Sequence, residues 1–339
     1  MRYIIAFKAK SSIKWQMQKK LYIQIHKNIS TWYQHYGRAT LPWRNTQSAY
    51  EIYLSEIMLQ QTQVKTVLER FYFQFLEKFP TLEDVANAPV DDVLKAWEGL
   101  GYYTRARNLH KTAVETKGFL PNKAEELEKL SGIGKSTAHA VACFAFDEAL
   151  PILDANVKRI LYRFFAVTSC KEKKLWEMAY ALYDKDNAYI YNQTMMDIGS
   201  AICTHKNPSC EACPFESLCQ GKENPLLYPE KKKKKKKPTR KRTLVIYNHG
   251  NKYALNQNSE RLLSGLWGFK QEEDFEFHKN MTELGVFKQQ YTHFTLEASV
   301  VLVQNKEQEK YFTIDEIHDL ALSGADRKAL SFLESYQNI

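Results

Sequence analysis

Residues 202–219 read ICTHKNPSCEACPFESLC, and Cys203, Cys210, Cys213 and Cys219 in it are spaced C-x6-C-x2-C-x5-C. Thiols this close in sequence imply a loop built around something they hold. Structural zinc sites favour two close cysteine pairs set well apart. Here one close pair is flanked by single cysteines, which suits a loop wrapped around an iron–sulfur cubane better. Zinc and a metal-free loop remain the alternatives on spacing alone. Disulfides are the weaker reading, because no secretory signal precedes the cluster: the opening MRYIIAFKAK has a four-residue apolar patch, short of a signal-peptide core of ~7–15 residues. No apolar run approaches the ~18 residues of a membrane helix. The expectation is a soluble intracellular chain with reduced thiols.

The chain has 339 residues, is 44% hydrophobic and carries a net charge of +9. That length suits two domains. The charge points to an anionic partner, but it is unevenly placed. Residues 1–27 hold seven Lys or Arg and residues 231–242 hold ten, with no acid in either segment. The remainder is net acidic. Basic tethers of this kind bind nucleic acid without sequence preference, or simply stay solvated.

Residues 1–27 read as a basic N-terminal extension, with Met17 an alternative start. Residues 28–222 are helical in pattern. In SAYEIYLSEIMLQQTQV, Ser48 and Glu51 have capping-box spacing, and Tyr50, Tyr53, Leu54, Ile57 and Met58 fall on one helical face. Glu56 and Gln60 lie off that stripe. Residues 223–242, with three prolines and a lysine run, read as a basic linker. Residues 243–339 change character. TLVIYN, KYALNQ and EASVVLV are strand-like, and DRKALSFLESY reads as a closing helix. The fold class expected is mostly α, followed by a small α/β domain.

Two further features carry chemistry. In EKLSGIGKSTAHAVACFAF, Gly132 and Gly134 let the backbone turn sharply between two helices. The amides opening the second helix, near Lys135, could hold a phosphate. This is a helix–hairpin–helix, or else a plain helix-ending turn. In PILDANVKRIL, Asp154 precedes a helical pattern, where an aspartate is most often an N-cap. Glu56 by itself is an ordinary helix-surface carboxylate. The two stand 98 positions apart, so they matter together only if the fold joins them.

With these residues in view, the chain resembles the MutY-type adenine DNA glycosylases of the helix–hairpin–helix superfamily, over roughly residues 28–339. The resemblance rests on LPWR (41–44), LSEIMLQQTQV (54–64), WEGLGYYTRARNLH (97–110), LSGIGKSTA (130–138), PILDANVKR (151–159), NQTMMDIGSAIC (192–203) and the cysteine loop. It implies a [4Fe–4S] cluster on the four cysteines, fixing a loop that grips DNA. It also implies removal of adenine opposite 8-oxoguanine or guanine in double-stranded DNA by base flipping. By the same resemblance Glu56 is the general acid. Asp154 stabilises or traps the sugar cation, and Asn156 orients water or Asp154. Arg44 and Gln193 lie at the edges of the flipped adenine, while Gln61 and Tyr102 wedge into the duplex near the oxidised guanine.

Ser136 stands where strand-cleaving relatives of the endonuclease III type carry a Schiff-base lysine, which implies base removal without strand cleavage. The C-terminal segment resembles the family's MutT-like 8-oxoguanine recognition domain through SGLWGF (264–269) and QYTHFTLE (290–297), without the acidic helix motif of the hydrolases. Tyr291-Thr292-His293 replaces a Phe-Ser-His turn, and Ala155 replaces a glycine. If position 155 needed positive φ, alanine would cost about 1 kcal/mol there. The remaining alternatives are a strand-cleaving pyrimidine glycosylase and a non-catalytic DNA-binding protein. The expected state is a monomer without membrane association, in the cytoplasm and, in a bacterium, at the nucleoid.

Overall fold

The computed structural model describes residues 13–230, 236–259, 263–279, 281–304 and 310–337, with 13–21 as backbone. Residues 1–12 of the expected extension and Lys231–Lys235 of the lysine run lie outside the described residues. In chain order the helices are α1 (Ile13–Tyr36), α2 (Ala49–Met58), α3 (Val64–Arg70), α4 (Tyr72–Lys78), α5 (Leu82–Asn87), α6 (Val90–Ala96) and α7 (Thr104–Glu115). They continue with α8 (Ala124–Leu127), α9 (Lys135–Phe146), α10 (Ala155–Phe164), α11 (Glu172–Leu182) and α12 (Ala188–Ala201). The strands are β1 (Thr239–His249), β2 (Lys252–Ala254), β3 (Asn256–Gln257), β4 (Trp267–Gly268), β5 (Lys270–Glu272), β6 (Met281–Gln290), β7 (Thr295–Gln304) and β8 (Tyr311–Phe312), before α13 (Ile314–Asp319) and α14 (Gly324–Gln337). No helix among the described residues is long and apolar enough to cross a membrane.

The chain forms two compact units, Met1–Glu56 with Pro121–Lys233, and Ile57–Leu120 with Lys234–Ile339. In the first, α10, α11 and α12 pack around Val157, Ile160, Leu161, Met195 and Ile198. Helix α1 joins this core through Ile25 and Ile29, which are 0% and 1% exposed. Helix α1 thus runs through residue 27, where the basic extension was expected to end. Ile25 and Ile29 are one turn apart on one face, and the lysines around them obscure that stripe in the sequence. Ile25→Ala should lower the unfolding free energy by ~2–5 kcal/mol. Chemical denaturation checks this, and a loss below ~1 kcal/mol would return residue 25 to a solvated tail.

In the second unit, α5 and α6 pack on α7 around fully buried Val85, Val93, Leu94, Trp97 and Leu109. Its sheet runs β6-β7-β1-β2-β8, with β5 also on β1. β1 and β7 pair in parallel over Thr239–Asn248 and Thr295–Gln304. Alternation along β1 sends Leu244 and Ile246 to one core and Val245 and Tyr247 to the other, as a period of two requires when both faces are covered. Strand β1 likewise begins inside the segment expected to be linker up to residue 242. Thr239–Arg242 already pair with Thr295–Ala298, because ladder hydrogen bonds use the backbone whatever the side-chain charge. Upstream, Glu230 donates its N–H to the Thr168 carbonyl at 2.9 Å, so that end of the linker is tied to the first unit.

Candidate active site

Helix α2 starts as its sequence implies. The Glu51 N–H donates to Ser48 Oγ at 3.3 Å, and Tyr50, Tyr53, Leu54, Ile57 and Met58 are all buried. That apolar stripe fixes the helix rotation and leaves Glu56 partly buried beside it. Burial raises the Glu56 pKa to about 7, the neighbouring Asp154 charge adds to the rise, and Arg44 opposes it. The fold thus brings together two carboxylates that are distant in sequence.

Asp154 is the N-cap of α10. Its Oδ1 accepts from the Val157 N–H at 2.7 Å and its Oδ2 from Asn156 Nδ2 at 3.2 Å. Burial raises its pKa, and these hydrogen bonds pull the other way. The cap role and the site role coexist: capping uses one oxygen, and the geometry fixes where the other points. Ala155 is not among the described residues with positive φ. It opens α10 as an ordinary helical residue, so the expected strain is absent.

The hairpin preceding this segment has the predicted form. Gly132 has φ +75°, Ile133 is buried, and Gly134 is the N-cap of α9 with open space around its Cα. Ser136 Oγ accepts from the Leu153 N–H at 3.1 Å, and His139 Nδ1 is 2.7 Å from the Pro151 carbonyl. The hairpin helix therefore holds the extended segment that presents Asp154. The Lys135 ammonium lies over the Trp176 ring at 4.6 Å from its centroid.

Arg44 comes from a short 3-10 turn at Pro42–Arg44. Its Nη1 and Nη2 each donate to Asp197 at 2.8 Å. Arg38 adds hydrogen bonds to the same carboxylate from Nε at 2.7 Å and from its backbone N–H at 2.9 Å. Burial would raise Asp197, but these donors outweigh it and keep its pKa low. Among the buried polar atoms left without protein partners are the donor Arg44 Nε and the acceptor Gln193 Oε1. Sequence reasoning placed Arg44 and Gln193 at the site and did not foresee that Asp197 takes both terminal nitrogens of Arg44.

Arg159 was also missed. Its Nη2 donates to Asn156 Oδ1 at 2.9 Å and its Nε to the Cys203 carbonyl at 2.7 Å. Gly199 permits this approach, since a Cβ there would stand 2.4 Å from the Asn156 Cβ. The sequence signal was a lone glycine, Gly199, within α12.

The four loop cysteines line one pocket with Arg163, Pro208 and Pro225. Arg163 Nη1 is 3.2 Å from Cys203 Sγ and 2.7 Å from the Thr204 carbonyl. Burial pushes the Cys213 thiol up to about 12 and the Cys219 thiol up to about 11, with the other loop cysteines adding to both rises. Four thiols gathered on one pocket are the donor set a cationic group would stabilise. Among the described residues, no three His, Cys, Asp or Glu side chains converge as a metal-binding group.

The second unit holds a separate cleft of about 620 Å³, lined among others by Gln61, Tyr102, Thr292, His293 and Ser323. Tyr102 is 44% exposed, so it is not the core residue its aromatic setting allowed. Thr292 Oγ1 lies 3.4 Å from the Tyr102 hydroxyl, across 190 sequence positions. Gln61 and Tyr102 both have left-handed backbone, with φ +58° and +51°. Tyr291 stacks on Phe294 at 4.7 Å, and this closes the turn that carries Thr292 and His293.

The chain is similar to known proteins. Residues 54–182 match the family model described as HhH-GPD superfamily base excision DNA repair protein. An adenine DNA glycosylase of Buchnera aphidicola subsp. Baizongia pistaciae is 38% identical over 80% of this chain and 83% of its own length. The human adenine DNA glycosylase is also 38% identical, over 58% of this chain and 39% of its length. Among solved structures, a thermostable thymine-DNA glycosylase aligns with a TM-score of 0.55 and 28% identity, over 62% of this chain and 99% of its own. An endonuclease III–DNA complex aligns with a TM-score of 0.52 at 20% identity, a likeness of fold. With a glutamate and an aspartate joined behind a helix–hairpin–helix, and this identity sustained over most of its length, the chain belongs to the adenine DNA glycosylases.

Proposed function

We propose that this chain removes adenine mispaired with 8-oxoguanine or guanine in double-stranded DNA, hydrolysing the N-glycosidic bond and leaving the strand uncut. The observation that carries the reading is the pairing of Glu56, raised to about 7, with Asp154. Two neighbouring carboxylates in different settings take different roles. Asp154 receives two hydrogen bonds that favour its ionised form, and Glu56, raised to about 7, is the group assigned to carry the proton. Protonated Glu56 donates to a ring nitrogen of the flipped base, which then leaves neutral rather than as an anion. Ionised Asp154 stabilises the positive charge left on the sugar, and water completes the hydrolysis in the retaining manner. Asn156 holds Asp154 in place.

The unpartnered Arg44 Nε and Gln193 Oε1 offer a donor and an acceptor to an adenine edge, which presents a ring-nitrogen acceptor and an amine donor. Uncut strands follow from the absence of an amine at Ser136 and from the Lys135 ammonium resting over Trp176. Gly132, Gly134 and the amides of Lys135 and Ser136 form the backbone clamp for DNA phosphate. Cys203, Cys210, Cys213 and Cys219 hold a [4Fe–4S] cluster. When bound it would supply the iron that these four thiolates ligate, fixing the loop, and every step above belongs to the protein's own side chains. The α/β domain is a MutT-like reader of 8-oxoguanine, with Thr292, His293, Tyr102 and Gln61 at one cleft. Thr292 keeps the hydroxyl of the family's serine.

The test is the single-turnover excision rate against pH at saturating enzyme. A required acid with a pKa of about 7 predicts a rate that falls roughly tenfold per unit on the alkaline side. A rate that climbs through pH 7 and stays high would remove Glu56 from the acid role.

A further inference from the structure

Arg105, on α7, is 8% exposed, yet the mechanism above gives it no task. Its Nη1 donates to the carbonyls of Ile57, Met58 and Gln60 at 2.9, 2.9 and 2.6 Å. Its Nη2 donates to the Gly101 carbonyl at 3.2 Å, with longer contacts of 3.4 Å to Thr62 Oγ1 and 3.5 Å to the Leu100 carbonyl. The guanidinium also lies 5.1 Å from the centroid of the Tyr102 ring and 5.6 Å from that of Trp97. One planar fork thus ties two separate turns, residues 57–62 and 100–102.

Each turn carries one exposed residue in left-handed backbone, Gln61 and Tyr102. That conformation is disfavoured for residues with a Cβ and persists only where the surroundings hold it. Both residues open onto the same cleft. Burial pulls the Arg105 pKa down to about 10, still well above neutrality, so the fork stays charged. A lysine could not replace it, because its single ammonium cannot reach acceptors on two sides with fixed planar geometry.

We infer that Arg105 is a positioning residue for lesion recognition, setting Gln61 and Tyr102 in register as one rigid pair that enters the duplex beside the damaged base pair. The inference rests on the functional reading above. It predicts that Arg105 governs discrimination between damaged and undamaged duplex, beyond any effect on folding.

The experiment measures dissociation constants for a duplex carrying a non-hydrolysable 2′-fluoro-adenosine opposite 8-oxoguanine, and for the undamaged duplex. It uses wild type, Arg105→Lys and Arg105→Met, with circular dichroism and thermal melting on each. The affinity ratio between the two duplexes should fall at least tenfold in folded Arg105→Lys, and further in Arg105→Met. In a Gln61→Ala background, adding Arg105→Lys should change the ratio less than twofold. A purely structural arginine would reduce the folded fraction and leave the ratio within twofold of wild type, which would overturn the inference. Failure of both variants to fold would also overturn it, by assigning Arg105 to the scaffold. Wild-type protein with no preference for the lesion would instead refute the functional reading.

Discussion

Glu56→Gln should abolish adenine release while leaving duplex binding intact, with the single-turnover rate falling ~10²–10⁴-fold. Glutamine has nearly the volume of a protonated glutamate but no transferable proton. It also adds no charge to a site where burial already holds Glu56 near half-protonation at neutrality. Folding should survive, because the stripe that seats α2 is Tyr50, Tyr53, Leu54, Ile57 and Met58. The affinity for a lesion duplex should stay within a few-fold of wild type. A variant that still releases adenine at a tenth of the wild-type rate would show that the proton comes from elsewhere.

Asp154→Asn should be as damaging to the chemistry, for a different reason. Asparagine caps helices about as well as aspartate, so the Val157 N–H keeps an acceptor and α10 keeps its start. What disappears is the negative charge that the proposed mechanism sets against the sugar cation. Electrostatic stabilisation of a developing charge in a closed site is a large contribution, and losing one such group costs ~10²–10³-fold or more. The separation of chemistry from stability is the informative part. The melting temperature should stay close to wild type while excision collapses. A large drop in both would mean that Asp154 serves chiefly as a cap.

These two residues also show what the sequence could and could not convey. The helical stripe of α2, the hairpin glycines and the β-branched, aromatic runs of β1 and β7 are local patterns, and each maps onto its element directly. The 3-10 turn at Pro42–Arg44 follows from its proline. Long-range pairings have no local signature. Asp197 takes up Arg44 from 153 positions away, so two of the five Arg44 N–H donors are already committed to it. Arg105 lies in RARN, a string that reads as a solvated face, and only the fold shows six acceptors around it. Ile25 and Thr239–Arg242 were hidden by neighbouring basic residues, whose charge says little about whether a backbone pairs or one face is buried.

The most direct test of the central claim uses a duplex with one adenine opposite 8-oxoguanine, end-labelled on the adenine strand. Products are compared with and without alkali, beside a parallel borohydride trap. The account predicts cleavage at the adenine only after alkali, and no trapped complex, since a hydrolysed base leaves an intact but alkali-labile strand. Cleavage without alkali together with a trapped complex would contradict it, by placing a lysine amine at the sugar.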